Sequence, residues 1–172
     1  MQQRSSIRLV CGLILMGAVA RLVPHAWNTT PVMAIALFAG AYLPKRWGII
    51  IPLIIVAATD VIIGWHNTLP FTWTAFALTG MLAWWIRSKP SAGRIVAASL
   101  TGSLLFFFIS NFGVWAVGGL YAHTQQGFQE CFIAAIPFYR NTLLGDLAYV
   151  TAFFGVYALA RGPQATIARA QN

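Results

Sequence analysis

Six long runs of apolar residues alternate along the chain with short connectors that hold prolines, glycines and charged residues. The runs cover residues 7–22, 31–43, 48–64, 72–86, 94–118 and 142–160. Because a hydrocarbon core about 30 Å thick is crossed by roughly 20 apolar residues in a helix, runs of this kind are typical of transmembrane helices. The pattern predicts an all-α membrane protein with six transmembrane helices.

Composition supports a membrane protein over a soluble one. Hydrophobic residues make up 59% of the chain and charged residues 8%, and the mean hydropathy is +0.72. A soluble domain of this size could not enclose that much apolar surface in one core. Six helices use nearly all of the 172 residues, so we expect a single integral domain over residues 1–172, surrounded by the lipid bilayer.

The eleven lysines and arginines divide unevenly between the two sides of this predicted bundle. Arg21 and Arg140 fall on one side. The other nine fall in alternate connectors and near the two ends of the chain, at Arg4, Arg8, Lys45, Arg46, Arg87, Lys89, Arg94, Arg161 and Arg169. Because cytoplasmic loops retain basic residues, both termini are predicted to be cytoplasmic. The net charge of +8 is then a topology signal, and no nucleic-acid partner is expected.

Residues 126–139 are apolar enough to enter a membrane but too few to cross it. If they crossed, Arg161 and Arg169 would lie outside the cell. We therefore expect a short interfacial or re-entrant helix on the outer face, ended by Pro137.

The first 20 residues have two interpretations. A charged start, an apolar stretch and the sequence Ala18-Val19-Ala20 are features of a cleavable signal peptide. The same residues fit the first transmembrane helix, because the polar segment that begins at Arg21 is typical of the mouth of a helical bundle. The two cysteines, Cys11 and Cys131, are expected to be free thiols.

The groups able to bind a ligand gather on the side opposite the basic connectors. Each of the three outer connectors holds one histidine, and the three acids also lie at the outer end: these residues are His25, His66, His123, Asp60, Glu130 and Asp146. A carboxylate at membrane depth is costly unless it is paired or hydrated. We therefore predict a cavity that opens to the outside.

The acids and the outer arginines allow several pairings. Asp60 lies near the C-terminal end of its helix, where the helix dipole disfavours an anion, so a partner is predicted, either Arg21 or Arg140. Asp146 either lines the cavity or stabilises the start of the sixth helix, with Asn141 as its cap. Arg140 can bind a carboxylate or phosphate of a ligand, or it can neutralise Asp146.

Asn111 in the fifth helix either binds a ligand or joins two helices through its amide. Aromatic rings near the span ends, including Trp65 and Phe112, are candidates for the cavity walls. The predicted ligand-binding residues are Arg21, His25, Trp27, Asn28, Asp60, His66, Trp73, Asn111, Tyr121, His123, Tyr139, Arg140 and Asp146. No sequence motif for covalent catalysis or nucleotide binding is present, so we predict no catalytic residue and no resident cofactor.

Four segments together carry a family resemblance: Arg21-Leu22-x-Pro24-His25-x-x-Asn28-x-x-Pro31, Ser110-Asn111-Phe112-Gly113-Val114-Trp115, Ala134-Ala135-Ile136-Pro137-Phe138 and Asn141-Thr142-Leu143-Leu144-Gly145-Asp146. They resemble an uncharacterised family of small bacterial membrane proteins over roughly residues 20–160. That family is distantly similar to the S components of energy-coupling factor (ECF) vitamin transporters. The resemblance implies a multi-pass protein of the bacterial inner membrane with an outer ligand pocket.

By this resemblance the protein binds or transports a small nutrient such as a vitamin or cofactor precursor, with energy supplied by a transmembrane partner. S components often dock through an A-x-x-x-A face on the first helix, which residues 7–22 lack; the nearest small-residue face is Ala36-x-x-x-Gly40. Solitary S components that bind cobalamin are therefore a further model. For cobalamin, the cobalt ligand would be His66, His123 or Cys131.

Two other classes of function stay open at this point. The first is an accessory subunit of a larger membrane complex, in which the outer polar residues contact another protein. The second is a metal-dependent membrane enzyme that uses Asp60, His66, His123 and Glu130 around a metal ion.

Overall fold

The described part of the protein is a bundle of six packed α-helices. In a computed structural model, residues 2–22 and 29–161 are described, with side chains described over 7–22 and 29–160. The helices are α1 (Gln2–Ala20), α2 (Val32–Tyr42), α3 (Trp47–Ile63), α4 (Leu69–Ser88), α5 (Ala92–Val117) and α6 (Gln125–Arg161). The described residues contain no β-strand, which confirms the all-α prediction.

The outer helix predicted over 126–139 is not a separate element. These residues form the first part of α6, which continues through Pro137 to Arg161. Proline lacks an N–H and therefore leaves the carbonyl of Ile133 without its helical donor. Pro137 is exposed, and the apolar residues on both sides of it continue the helix. The prediction that Pro137 ends a helix was wrong.

Three of the helices are long and apolar enough to cross a bilayer by length and composition, namely α4, α5 and α6. The remaining apolar helical segments in the described part of the chain are shorter, at Ile7–Ala20, Val32–Tyr42 and Trp47–Ile63. Large apolar side chains cover much of the outside of the bundle, including Leu15, Ile54, Ile62 and Leu144. Such a surface fits a lipid environment better than water.

The shortest helix, α2, lies in the centre of the bundle. Every residue from Val32 to Ala41 is buried, and α2 packs against all five other helices. It is hydrophobic on all sides, as expected of a helix that no solvent reaches. Near its C-terminal end the Phe38 ring packs edge-on against Phe153, Phe154 and Tyr157 of α6, with ring centroids 5.2–5.7 Å apart.

Three glycines let α2, α3 and α4 approach closely. A Cβ on Gly48 of α3 would lie 2.7 Å from the Cα of Gly40 of α2, and a Cβ on Gly80 of α4 would overlap the carbonyl of Gly48. Pro52 of α3 has no N–H, so the Gly48 carbonyl lacks its donor four residues later. That carbonyl lies against Gly80 instead. The small-residue face Ala36-x-x-x-Gly40 is thus buried inside the bundle and is not available to a partner protein.

The basic connectors lie together at one end of the bundle, which we call the basic end. They hold Lys45, Arg46, Arg87, Lys89 and Arg94. Arg87 donates a hydrogen bond of 2.5 Å from Nη1 to the Leu43 carbonyl, and the Lys45 ammonium lies 5.8 Å from the centre of the Trp84 ring. The basic side chains therefore hold the connectors in place as well as carrying charge.

The glycine contact makes a direct prediction about stability. Replacing Gly80 with alanine should lower the free energy of unfolding by about 1–3 kcal/mol, because the new Cβ meets a backbone carbonyl that cannot move without separating α3 from α4. The measurement is unfolding of purified protein in mixed micelles, followed by tryptophan fluorescence.

The matched control is Gly93→Ala in α5, where an added Cβ would find no atom within 4 Å. This variant should be as stable as the wild type or slightly more so, because alanine favours helix. Equal losses in the two variants would show that the close approach of α3 and α4 does not limit stability.

Candidate functional site

A cavity of about 300 Å³ lies at the N-terminal end of α2. Because α2 begins at Val32, inside the bundle, the longer helices around it continue past its end and enclose this space. The cavity is lined by the segment after α1, the start of α2, helices α3 to α6 and the connector between α3 and α4. The lining residues are Arg21, Thr29, Thr30, Met33, Asp60, His66, Leu69, Thr72, Phe76, Phe106, Thr142 and Asp146. Four of the predicted ligand-binding residues therefore share one cavity: Arg21, Asp60, His66 and Asp146.

One side of the cavity is built around an ion pair between Arg21 and Asp60. The Arg21 Nη2 lies 2.8 Å from Asp60 Oδ1, and Arg21 also donates to the hydroxyl oxygens of Thr59 at 2.7 Å and Thr30 at 3.2 Å. The second Asp60 oxygen accepts a hydrogen bond of 2.8 Å from Trp73 Nε1. The prediction that Asp60 needs a partner, with Arg21 as one of two candidates, is confirmed.

The other side of the cavity contains a second carboxyl group with a different environment. Asp146 is 2% exposed, and its hydrogen-bond partner among the described residues is Ser103 of α5, with 2.7 Å between Ser103 Oγ and Asp146 Oδ2. Because α6 begins at Gln125, Asp146 lies in the middle of the helix and Asn141 is no cap. The interpretation of Asp146 as a helix N-terminal residue was therefore wrong.

His66 lies at the rim of the cavity, in the connector between α3 and α4. Its side chain is exposed, and its Nδ1 is 2.7 Å from Thr68 Oγ1. It also lines an open depression next to the cavity, together with Trp65 and Trp73, whose ring centroids are 6.3 Å apart. The His66 imidazole is therefore accessible both from the cavity and from the protein surface.

A smaller cavity of about 210 Å³ adjoins the first, and Phe106 and Thr142 line both. Asn111 and Tyr139 line the smaller one. The Asn111 amide donates to the Phe107 carbonyl of its own helix at 2.7 Å, so this amide nitrogen does not join two helices. Asn111 and Tyr139 thus lie beside the principal cavity, separated from its charged groups by the shared wall.

Among the other predicted residues that the structure describes, Arg140, His123 and Tyr121 line neither cavity. Arg140 is exposed and forms no ion pair with Asp146. This contradicts the alternative in which Arg140 neutralises Asp146. His123 packs against Trp115 with 5.6 Å between ring centroids, and Tyr121 is half-buried nearby in the chain. The predicted residues His25, Trp27 and Asn28 lie outside the described residues.

The structure also bears on the proposed metal ligands. Over residues 2–22 and 29–161, no three histidine, cysteine, aspartate or glutamate side chains are close enough to hold a metal ion together. Cys131 is buried with its Sγ 3.5 Å from the Asn111 carbonyl, and Glu130 is exposed and accepts a hydrogen bond from Gln126. The four residues of the metal-enzyme alternative are therefore not brought together, whereas a single cobalt ligand, as proposed for cobalamin, stays a prediction.

Sequence reasoning missed most of the neutral lining. The missed residues are Thr29, Thr30, Met33, Leu69, Thr72, Phe76, Phe106 and Thr142, and behind them Ser103. The available signal was the set of hydroxyl residues inside or next to apolar runs, since a hydroxyl at membrane depth needs a partner. Threonine and serine also satisfy themselves on their own helix, as Thr72 does with the Leu69 carbonyl, so the signal is weak.

The fold and cavity define an all-helical protein with three helices long and apolar enough to span a membrane and a polar cavity near one end of a short central helix. The chain belongs to the protein family described as "Family of unknown function (DUF6580)", whose model matches residues 1–168. No curated protein and no solved structure matches the chain. The family match shows no link to the S components of ECF transporters.

Because of the ion pair, we predict that replacing Arg21 and replacing Arg140 have different effects on stability. Arg21→Leu should lower the free energy of unfolding by about 3–5 kcal/mol, because it leaves the Asp60 carboxylate buried without its cation. Arg140→Leu, at an exposed position, should change it by less than about 0.5 kcal/mol. Unfolding in mixed micelles measures both variants, and equal losses would contradict a structural role for the pair.

Proposed function

We propose that the protein is a multi-pass protein of the bacterial inner membrane that binds or transports a small polar nutrient through the cavity at the N-terminal end of α2. In this proposal all six helices lie within the bilayer, both termini are cytoplasmic and the cavity opens to the outside. The observation that carries it is the cavity itself, in which charged and hydroxyl groups from distant parts of the chain meet among apolar walls.

The topology is supported by the separation of the two ends of the bundle. The basic connectors lie at one end and the ion pair at the opposite ends of the helices, which agrees with the tendency of basic loops to stay in the cytoplasm. With 11 residues, α2 is only about 16 Å long. Because protein surrounds it on all sides, its polar ends need not reach the membrane surface.

The cavity dimensions restrict the ligand. A volume of about 300 Å³ lies at the lower end of the range of about 300–1,000 Å³ for small-molecule sites. This supports a vitamin-sized or smaller molecule and favours it over cobalamin, which is much larger than a drug-sized ligand. Phe76 and Phe106, with centroids 5.0 Å apart, provide an aromatic wall for the apolar part of such a molecule.

If the protein works as S components do, a partner protein supplies the energy for transport. The chain has no phosphate-binding glycine loop, so ATP would be hydrolysed elsewhere. The partner would have to dock on an outward face of a helix other than α2, because the small-residue face of α2 is enclosed.

The ligand-binding proposal is tested by filling the cavity. Thr72 lines the cavity, whereas Thr74, two residues later on the same helix, is exposed. Native mass spectrometry of gently solubilised wild-type protein should show a retained small molecule. Thr72→Phe should reduce its occupancy at least about tenfold, since the ring takes up the space of the ligand, and Thr74→Phe should leave it unchanged. Equal retention in the two variants, or no retained molecule in the wild type, would count against the cavity as the binding site.

The topology is tested by cysteine labelling in intact cells. In a Cys11→Ser background, Leu120→Cys should react with a membrane-impermeant maleimide, because Leu120 is 78% exposed in the connector before α6. Lys89→Cys, at the exposed basic end, should react only after the cells are permeabilised. The reverse pattern would invert the proposed orientation and close the cavity to the outside.

A further inference from the structure

We propose that Asp146 holds a proton while the cavity is empty and exchanges it for a small monovalent organic cation when the ligand binds. This inference rests on the proposed function and specifies the chemical class of the ligand. The juxtaposition behind it is a charge-balanced Arg21–Asp60 pair on one side of the cavity and, on the other, a buried carboxyl group that has no cation among the described residues.

The charges around the cavity do not balance if Asp146 is ionised. Arg21 is bonded to Asp60 at 2.8 Å, and no salt bridge to Asp146 is formed within the described residues. A carboxylate that is 2% exposed and lacks a cation carries a desolvation cost of several kcal/mol. A proton or a bound cation removes that cost.

The other titratable groups that the structure describes near Asp146 do not supply the missing charge. Arg21, directly after α1, and Asp60, in the last turn of α3, neutralise each other, and His66 is exposed at the rim with its Nδ1 2.7 Å from Thr68 Oγ1. Tyr139, two turns earlier on α6, lines the adjoining cavity. The lining residues of α2, α4 and α5 include no titratable side chain. The N-terminus of α2 offers a partial charge of about one half, less than a full counter-ion.

The hydrogen bonds of Ser103 independently favour a protonated Asp146. Ser103 Oγ lies 2.7 Å from Asp146 Oδ2 and 3.0 Å from the Ser99 carbonyl. A hydroxyl has one hydrogen, so it cannot donate fully to two acceptors. A protonated Asp146 satisfies both contacts: its carboxyl donates to Ser103 Oγ, and Ser103 Oγ donates to the Ser99 carbonyl. Each of the two short oxygen–oxygen distances then contains one hydrogen.

The exchange is balanced. The O–H bond of the Asp146 carboxyl breaks, its proton passes to water in the cavity, and the entering cation becomes the counter-ion of the carboxylate. The aromatic pair Phe76 and Phe106 faces the same space and favours an organic cation, since ring faces attract positive charge. Hydroxyls of the surrounding threonines can bind polar parts of the same molecule.

Infrared spectroscopy tests the proton. The chain has three side-chain carboxyl groups; Asp60 is ion-paired and Glu130 is exposed. At pH 7, full-length protein in nanodiscs should show the carbonyl band of one protonated carboxyl. The band should be absent from Asp146→Asn and present in the control Glu130→Gln. If Asp146→Asn fails to insert, the wild type still decides the matter, because absence of the band there overturns the proposal.

Binding of permanently charged ions tests the exchange. At pH 7, tetramethylammonium or choline should raise the unfolding temperature of the wild type and remove the infrared band, whereas 3,3-dimethylbutan-1-ol, the neutral isostere of choline, should do neither. One proton leaves for each cation that binds, so the apparent Kd should fall as the pH rises, by up to about tenfold for each pH unit over the range in which Asp146 of the ligand-free protein is protonated. Neither ion should bind to Asp146→Asn.

Three results would overturn the exchange: no binding of either ion, equal binding of the neutral isostere, or an affinity independent of pH. These failures are distinguishable from failure of the proposed function. If the molecule retained by wild-type protein and displaced by Thr72→Phe is neutral or anionic, the cavity is a binding site and the cation assignment is wrong. If no molecule is retained and neither ion binds, both proposals fail.

Discussion

The structure depends on the complete enclosure of an 11-residue helix by longer ones. A helix about 16 Å long cannot fill a bundle whose α5 is about 39 Å long, so space remains beyond its N-terminal end. Its first-turn N–H groups have no side-chain cap, and such groups need acceptors from water, ligands or side chains. The short length and the burial of α2 together therefore create a cavity that is polar at its base. The cavity does not depend on small side chains in the surrounding helices.

Close packing at the other end of α2 fixes this arrangement. The Gly48 carbonyl, which Pro52 leaves without a helical donor, lies against Gly80, and Gly40 lies against Gly48. Close backbone approach of this kind contributes van der Waals contact and weak Cα–H to carbonyl bonds, which matter most where no hydrophobic effect drives helices together. The helices are thus held at the basic end and are free to enclose a hollow at the other.

Much of the fold could be read from the sequence, whereas the site could be read only in part. The apolar runs predicted α1 to α5 to within about five residues at each end, whereas α6 begins at Gln125, well before the run 142–160 that predicted it. The position of Asp60 at a helix C-terminal end correctly implied a cation such as Arg21. Pro137 misled because a proline stops a helix only when packing or sequence on either side also favours a break. Arg140 and Asn111 misled because sequence gives the depth of a residue and not the direction of its side chain: one faces outward and the other bonds to its own helix. The threonines of the lining carried no distinctive pattern at all.

The two aspartates of the cavity, Asp60 and Asp146, have different surroundings. This difference is more informative about the chemistry of the cavity than the presence of either residue alone. Asp60 has an arginine, an indole N–H and a fixed geometry, so it is satisfied before any ligand arrives. Asp146 has one hydrogen-bond partner in the described part of the chain, Ser103, so its charge depends on what else occupies the cavity. Paired carboxyl groups whose environments differ in this way usually have separate roles. In the proposed binding site, Asp60 supports the wall and Asp146 is the group whose free energy a ligand would change. A cavity designed only for structural stability would have no reason to leave the second carboxyl in the interior, since an apolar residue of similar size would pack there at lower cost.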